Sequence, residues 1–379
     1  MNNPWLIIGD GWAAMAAVTK IVADRQPLIW IAGSGAKIRS PLPSVEAGPA
    51  EAVWRDLALR ADVELGASST GSYLREFRNK SFREPAWLKA PTPEMRREVM
   101  QEILWGSETQ MVALFETRFA MTIGELETQI RSFLDLRLLE NSVIFQRREA
   151  VHVSAIKMEE SKVVSITLGS GEEIAASRVI YADRWSSLSS IEGLPKPLPF
   201  TRGRNPSGVL QAVFTHSQPM ALGFQEGFFG SLHKEAGEEQ ERHFFGHFSS
   251  DGLTSVWTLH LSSEEGDDNH EITKKLRRMK TALDKIFSGE TWLPEGKSSF
   301  METVQAEQVK FEESVFFAQG KVFEAPFRLP KVENLEFITD GYGPSVAVLQ
   351  AYAALGVVKP HERPDAQAKD VDVPNFPSA

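Results

Sequence analysis

Short bulky runs broken by glycine alternate with an alanine-rich stretch at the start of the chain, and this pattern predicts a β-α-β unit. Trp5-Leu6-Ile7-Ile8 stops at Gly9, Trp12 to Ala23 follows with alanines at helical spacing, and Leu28 to Ile31 comes after Pro27 and runs into Ala32-Gly33-Ser34-Gly35. Two apolar strands joined through a helix lie parallel. Between residues 92 and 140 the period turns helical: Thr92 can cap one amphipathic segment with Pro93 and Glu94 in its first turn, and Thr122, Gly124 and Glu125 open another. From Ser142 to Tyr181 short alternating runs return (Val143 to Phe145, Val151 to Ile156, Val163 to Leu168, Ile174, and Val179 to Tyr181), with a hairpin expected at Gly169-Ser170-Gly171.

Residues 192–208, with Pro195, Pro197, Pro199 and Pro206, suggest a crossing between domains. Beyond it, runs at 209–215, 221–224, 243–248 and 255–261 predict an antiparallel sheet with the helix Ile272 to Ile286 packed on it, and the Glu-rich stretch 233–242 reads as a solvated connection. Near the end, Leu335 to Ile338 predicts a strand leading into Asp340-Gly341-Tyr342-Gly343-Pro344 and an apolar helix Val346 to Val358, after which the tail beyond Pro360 reads as peripheral. No internal repeat is visible.

Composition narrows the function classes. With 379 residues, 42% hydrophobic and 24% charged, the chain is globular and long enough for two or three domains. The 41 Lys+Arg against 51 Asp+Glu, a formal net charge of −10 and the lack of a dense basic tract argue against nucleic acid as a partner. Zero cysteines remove disulfides, thiolate metal sites and cysteine nucleophiles. The N-terminal stretch lacks the basic start of a signal peptide, and no window reaches the roughly 20 apolar residues of a membrane span. A soluble, cytoplasmic protein acting on a small molecule is the expectation, with the oligomeric state open.

The opening turn, Gly9-Asp10-Gly11-Trp12-Ala13-Ala14, is a G-x-G-x-x-A pattern set between strand and helix. Gly9 permits the tight turn, Gly11 lets a pyrophosphate approach the backbone, and Ala14 keeps helix and strand close, while the amides of the first helical turn, from Trp12 and Ala13 on, face the anion. The same residues would also serve a tight turn with no ligand. The acid that such folds place at the end of the second strand to accept ribose hydroxyls is missing, its place taken by Ala32. Asp24 lies at the wrong end of that strand, and Ser34 offers only a hydroxyl. Losing a charge-assisted pair of bonds costs about 1.5–3 kcal/mol, roughly 10- to 150-fold in affinity. Lys37 and Arg39 could instead hold the 2′-phosphate of NADP, a reading that leaves the Asp340 segment without a role.

Further candidates weigh less. His243 and His247, four apart, would share a face on a helix, but Phe244, Phe245 and Phe248 around them indicate a strand, so no metal site is expected. The aromatic stretches 224–229 and 244–248 read as sheet core, or as the lining of an apolar cavity. Asp183 and Trp185 follow a strand end, where either a functional loop or a helix cap fits.

Gly35-Ala36-Lys37-Ile38-Arg39-Ser40 resembles the G-G-R-x-x-T element of the flavin amine oxidase, phytoene desaturase and protoporphyrinogen oxidase superfamily, departing from it at Ala36 and Lys37. Val45-Glu46-Ala47-Gly48-Pro49 is similar to the family's acidic-x-Gly stretch. Leu126 to Ile156 resembles the segment whose strand backbone, here near Val151, contacts adenine, and Ser177 to Asp183 with Pro195 to Pro199 looks like the family's later strand and exit. Asn334 to Pro344 resembles the C-terminal flavin segment, which implies that Asp340 bonds the ribityl chain and that Gly341, Pro344, Ser345 and Val346 bring a helix N-terminus to the flavin.

The resemblance implies an α/β protein with a discontinuous Rossmann-like FAD-binding domain (1–75, 136–195 and 300–379). A second, α+β substrate domain containing the antiparallel sheet takes 76–135 and 196–299. It implies FAD as cofactor, with Gly9, Gly11, Trp12, Ala13, Ala14, Ala32, Gly33, Ser34, Lys37 and Arg39 around the pyrophosphate and ribose. The implied activity is oxidation of an amine or apolar substrate by hydride transfer to flavin. Lys310 and Lys321 are candidates for a lysine that holds water near the flavin, or for solvated surface lysines, and no catalytic residue is assigned. A flavin fold that has lost its cofactor and serves as a binding protein is the competing expectation, motivated by Ala32.

Overall fold

The computed structural model describes residues 3–33, 44–46, 50–70, 74–78, 80–83, 117–149, 151–183, 188, 190–195, 207–221, 227–232, 242–262, 265–266, 268–288, 292–314, 327–329, 331–340 and 344–356. The predicted opening unit is present as β1 (Trp5–Ile8), α1 (Trp12–Ala23) and β2 (Leu28–Ala32), with β1 and β2 parallel. Then come β3 (Ser44–Glu46), α2 (Glu51–Arg60), β4 (Ser68–Thr70), β5 (Leu74–Arg78), β6 (Ser81–Arg83) and β7 (Thr117–Thr122). Helix α3 (Ile123–Glu140) starts where the sequence places it: Thr122 and Glu125 form a reciprocal capping box that satisfies two amides of the first turn.

The run Val143-Ile144-Phe145, expected as a strand, is mostly a turn. The amides of Ile144 and Phe145 both bond the Asn141 carbonyl, leaving Val143 exposed, and β8 begins only at Phe145 (Phe145–Glu149). A meander of β9 (Val153–Glu159), β10 (Lys162–Leu168) and β11 (Glu173–Ala175) follows, with the expected tight turn at Gly171 (φ +88°), and β12 (Arg178–Tyr181) re-enters the first sheet. Next in the chain are β13 (Ser207–His216), β14 (Gly227–Leu232), β15 (Arg242–Phe248), β16 (Thr254–Ser262), α4 (Asn269–Ile286), α5 (Phe300–Thr303) and β17 (Val304–Ser314). Of the run 221–224, expected as a strand, only Ala221 is described, and it lies outside any strand. Residues 222–226 lie outside the described set, the Ala221 amide bonds the Trp292 carbonyl at 3.4 Å, and the pairing strand is Gly227–Leu232. The chain closes with β18 (Phe327–Arg328), β19 (Leu335–Phe337) and α6 (Pro344–Ala354), which ends four residues short of the expected Val358. The expected Thr92 helix, the Glu-rich connection up to residue 241 and the tail from residue 357 lie outside the described residues.

Two large sheets organise the molecule. The first has the order β18-β19-β12-β1-β2-β8, parallel throughout except for the antiparallel edge strand β18. Its central strands are buried on both faces, as parallel strands covered by helices must be. Helix α1 is buried all round, its alanines at 13, 14, 16 and 17 letting α6 and the sheet approach closely, and α6 answers with Ala347, Ala351 and Ala354.

The second sheet has the order β17-β13-β16-β15-β14-β5-β6, antiparallel but for the β14–β5 pair. Leu210, Phe214, Phe228, Phe244, Phe248, Trp257 and Leu259 face Met279, Leu283 and Ile286 of α4, so most of the aromatic stretch is core. Strand β17 belongs to this sheet through β13, although the sequence reading joined that stretch to the nucleotide-binding part. Among the described residues no helix is long and apolar enough to cross a membrane.

Candidate site at the carboxyl edge of the parallel sheet

Five parallel strands end side by side, and their last residues and following loops form one rim. From one edge to the other these are Asp340 after β19, Asp183 after β12, Gly9 to Gly11 after β1, Ala32 and Gly33 at the end of β2, and Glu149 at the end of β8. Ligands of open α/β sheets bind outside such strand ends.

The glycine turn is built tightly. Gly9 has φ +125°, and a Cβ there would lie 2.4 Å from the Ala182 carbonyl oxygen of the neighbouring strand end. The residue must be glycine for both reasons. The indole Nε1 of Trp30 donates to the Gly9 carbonyl at 2.6 Å, fixing the turn from beneath. Arg131 of α3 reaches over from the helical layer, its guanidinium bonding the Asp10 carboxylate at 2.8 Å and the Asp10 carbonyl at 3.0 Å. Burial works against that charge, but the bond to Asp10 and the charges of Asp10 and Glu127 outweigh it and hold the guanidinium above its ordinary range.

Gly11 is the N-cap of α1, and the first turn of that helix carries no acidic residue of its own. A carboxylate arrives from the other end of the chain instead: Asp340 Oδ1 accepts the Ala13 amide hydrogen at 2.7 Å. A Cβ on Gly11 would fall 1.3 Å from Asp340 Oδ2, so the space that glycine leaves is filled by this carboxylate. The loop that carries Asp340 is itself anchored, because the buried Gln350 side chain of α6 accepts the Thr339 amide at 2.8 Å. An anionic group on helix N-terminal amides is the arrangement a phosphate adopts.

The other expected positions sort as follows. Ala14 lies buried in the first turn of α1 against the core, and Ala32 is buried at the end of β2. A Cβ on Gly33 would meet Asp183 Oδ2 at 3.1 Å, so this carboxylate leans over the β1 end. On α6, Ser345 Oγ accepts from Trp54 Nε1 at 3.0 Å, and the Trp54 ring packs edge-on to Trp12 at 5.2 Å, which ties Pro344 and the start of α6 to α1. Val346 is buried in the core with Tyr181 and Phe337. Val151 is half-buried in the link between β8 and β9. Ser34, Lys37, Arg39, Gly341, Trp185 and Lys321 lie outside the described residues.

Lys310 sits on β17 in register with Gln211, away from the rim residues in sequence and in sheet. His243 and His247 do share a face after all, since positions four apart also fall on one side of a strand. The strand spaces them by roughly 13 Å, too far for one ion. Among the described residues no group of three or more acidic or histidine side chains is placed to hold a metal. Arg131, Trp30, Gln350 and Glu149 were not picked out from the sequence. Arg131 alone left a local trace, as a cation on the first long helix after the turn.

No protein-family model matches the chain, and no curated protein sequence matches it. Solved structures do. An oxidoreductase from Methanosarcina mazei is similar with a TM-score of 0.58 at 9% identity, over 91% of this chain and 99% of that one. NikD, described as an unusual amino acid oxidase essential for nikkomycin biosynthesis, is similar with a TM-score of 0.55 at 12% identity, over 94% of both chains. A geranylgeranyl bacteriochlorophyll reductase-like protein from Thermoplasma acidophilum has a TM-score of 0.52 at 11% identity, over 94% of this chain and 78% of its own. The chain thus has the two-sheet α/β fold found in oxidoreductases.

Proposed function

We propose that the chain is an FAD-dependent oxidoreductase resembling the flavin amine oxidases, with the cofactor's diphosphate at the start of α1. One observation carries this reading: Asp340, just past the last parallel strand, meets the first-turn amide of α1, so the glycine turn and the late carboxylate flank a single place. Such a pair serves one ligand that offers both a diphosphate and hydroxyls.

The backbone fits the group. Gly9 and Gly11 keep side chains out of the turn, Arg131 braces Asp10, and the α1 amides supply donors. With dinucleotide bound, Asp340 would leave the Ala13 amide to the phosphate and accept a hydrogen bond from a ribityl hydroxyl. Lys37 and Arg39 would neutralise the diphosphate, and the backbone near Val151 would meet adenine. The flavin would supply the redox chemistry, taking a hydride equivalent from an amine or apolar small molecule, while the protein contributes placement and exclusion of water. In this reading the six-stranded sheet with α1, α2, α3 and α6 forms the nucleotide-binding part. The seven-stranded sheet with α4 forms the substrate part, β17 included.

A second reading, a flavin fold without tight cofactor binding, draws on Ala32 and on the engagement of the Ala13 amide by the protein's own carboxylate. A thermal-shift assay separates the two and also tests NADP. FAD raising the melting temperature supports the enzyme, NADPH alone doing so supports a reductase without flavin, and no effect of either supports the cofactor-free protein.

A further inference from the structure

The end of β2 offers no carboxylate, but the strand beside it does. β8 runs parallel to β2, and Glu149 is in register with Ala32. Residues in register on adjacent parallel strands point to the same face, about 4.8 Å apart. That face is the one toward the helices: Leu28, Trp30, Ala32 and Phe145 share a core with α1 and α3, and the Arg147 guanidinium lies 4.5 Å from the centre of the Trp30 ring. Glu149 therefore stands one strand aside from where an acid at position 32 would stand, at the same height on the rim.

Its surroundings suit an acceptor. The Glu149 side chain is 69% exposed, and its carboxylate lies 3.1 Å from Arg147 Nε. Arg147 is stacked on Trp30 and bonded to Asp135 of α3 at 2.8 Å, so the ion-pair partner of Glu149 is itself held on two sides. The cations of this corner are matched by carboxylates: Arg147 by Asp135 and Glu149, and Arg148 by Glu172 at 3.5 Å. A 2′-phosphate would meet Glu149 as a like charge, whereas a ribose hydroxyl would donate to it.

We propose that Glu149 is the ribose acceptor of the nucleotide site, taking over from the neighbouring strand the role that Ala32 cannot fill. This rests on the flavin reading above. It gives the site an adenosine preference for free ribose hydroxyls over a 2′-phosphate, and it removes the main sequence argument for a lost cofactor site.

The test uses the full chain and three probes: ADP, 2′-deoxy-ADP and 2′,5′-ADP, each titrated by calorimetry against wild type and E149Q. Wild type is expected to favour ADP over 2′-deoxy-ADP by roughly 10-fold, the lower end for a charge-assisted bond. E149Q should bring the two within about 2-fold and improve 2′,5′-ADP relative to ADP. Because Glu149 is exposed, E149Q should melt as wild type does, which separates a ligand contact from a structural one. A wild type that ignores the 2′-hydroxyl, or an E149Q that keeps the full preference, overturns the inference while leaving FAD binding intact. Failure of wild type to bind ADP and FAD alike overturns the flavin reading, and this inference with it.

Discussion

Asp340 and Ala13 are 327 positions apart, yet the carboxylate of one takes the amide hydrogen of the other at 2.7 Å. Helix α1 is thus capped by the loop after the last parallel strand. The contact sets a fixed negative charge at the start of α1, where a diphosphate would bind in the proposed reading.

Asp340→Asn tests that charge directly. Removing it should raise the affinity for ADP several-fold, because the diphosphate no longer displaces a carboxylate. FAD should gain less, since its ribityl hydroxyls lose an ionised acceptor. The helix end should lose about 0.3–1 kcal/mol of stability, since the Asn carbonyl still accepts the Ala13 amide and only the charge is gone. Calorimetric titration of both ligands checks this. Weaker ADP binding by the variant would show that the carboxylate assists the phosphate site instead of competing with it.

Gly11→Ala places a methyl on the Asp340 carboxylate, where the ideal Cβ falls 1.3 Å from Oδ2. The clash should cost about 1–3 kcal/mol. In an Asp340→Ala background the same change should cost far less, so the two substitutions are strongly non-additive. Urea unfolding of the two single variants and the double variant measures the coupling. Additive costs would mean that the two residues do not meet.

Arg131→Ala strips the brace from the turn and leaves the Asp10 carboxylate half-buried without its partner guanidinium. A charge-assisted bond of this type is worth about 1.5–3 kcal/mol, and a loss of that order is expected together with weaker FAD binding. Arg131→Lys should recover only part, because a single ammonium does not reproduce the two-pronged contact with the carboxylate and carbonyl of Asp10. Equal affinities in wild type, Ala and Lys variants would remove Arg131 from the account.

His216 makes the second sheet acid-sensitive. Buried between Thr303 Oγ1 at 2.8 Å and Ser255 Oγ at 2.9 Å, the ring has its pKa lowered by burial to about 4. In the unfolded chain the ring titrates near 6.5. As pH falls through about 6.5 the unfolded state takes up the proton first, so stability is lost between about pH 6.5 and 4, by up to about 3 kcal/mol, and levels off below. Urea midpoints across this range should show the slope, and His216→Gln should flatten it. An unchanged slope in the variant would place the titrating group elsewhere.

What the sequence made legible was what local rules govern. Gly9 and Gly11 announced a turn, Thr122 with Glu125 announced a helix start, and Gly169 to Gly171 announced a hairpin, because each depends on residues within a few positions of one another. Val143 and Ile144 misled, since an apolar pair in an exposed turn looks like the start of a strand. The place of Asp340 followed only from its resemblance to a flavin segment, as nothing in the chain between it and Ala13 forecasts their meeting. Glu149 stayed hidden for a geometric reason: it matters through its register with Ala32, and strand neighbours are a property of the folded sheet. His216 likewise gave no sign, because its two hydroxyl partners come from α5 and β16.

The central claim is that the glycine turn, the α1 amides and Asp340 receive one FAD. Titrating the purified chain with FAD while recording the flavin absorbance band tests it most directly, with Gly11→Ala as the control. A band that shifts and saturates at a single FAD per chain in wild type, and does so far more weakly in Gly11→Ala, is the expected result. A spectrum indistinguishable from free FAD at every ratio, or equal saturation in both proteins, would contradict the assignment of this site.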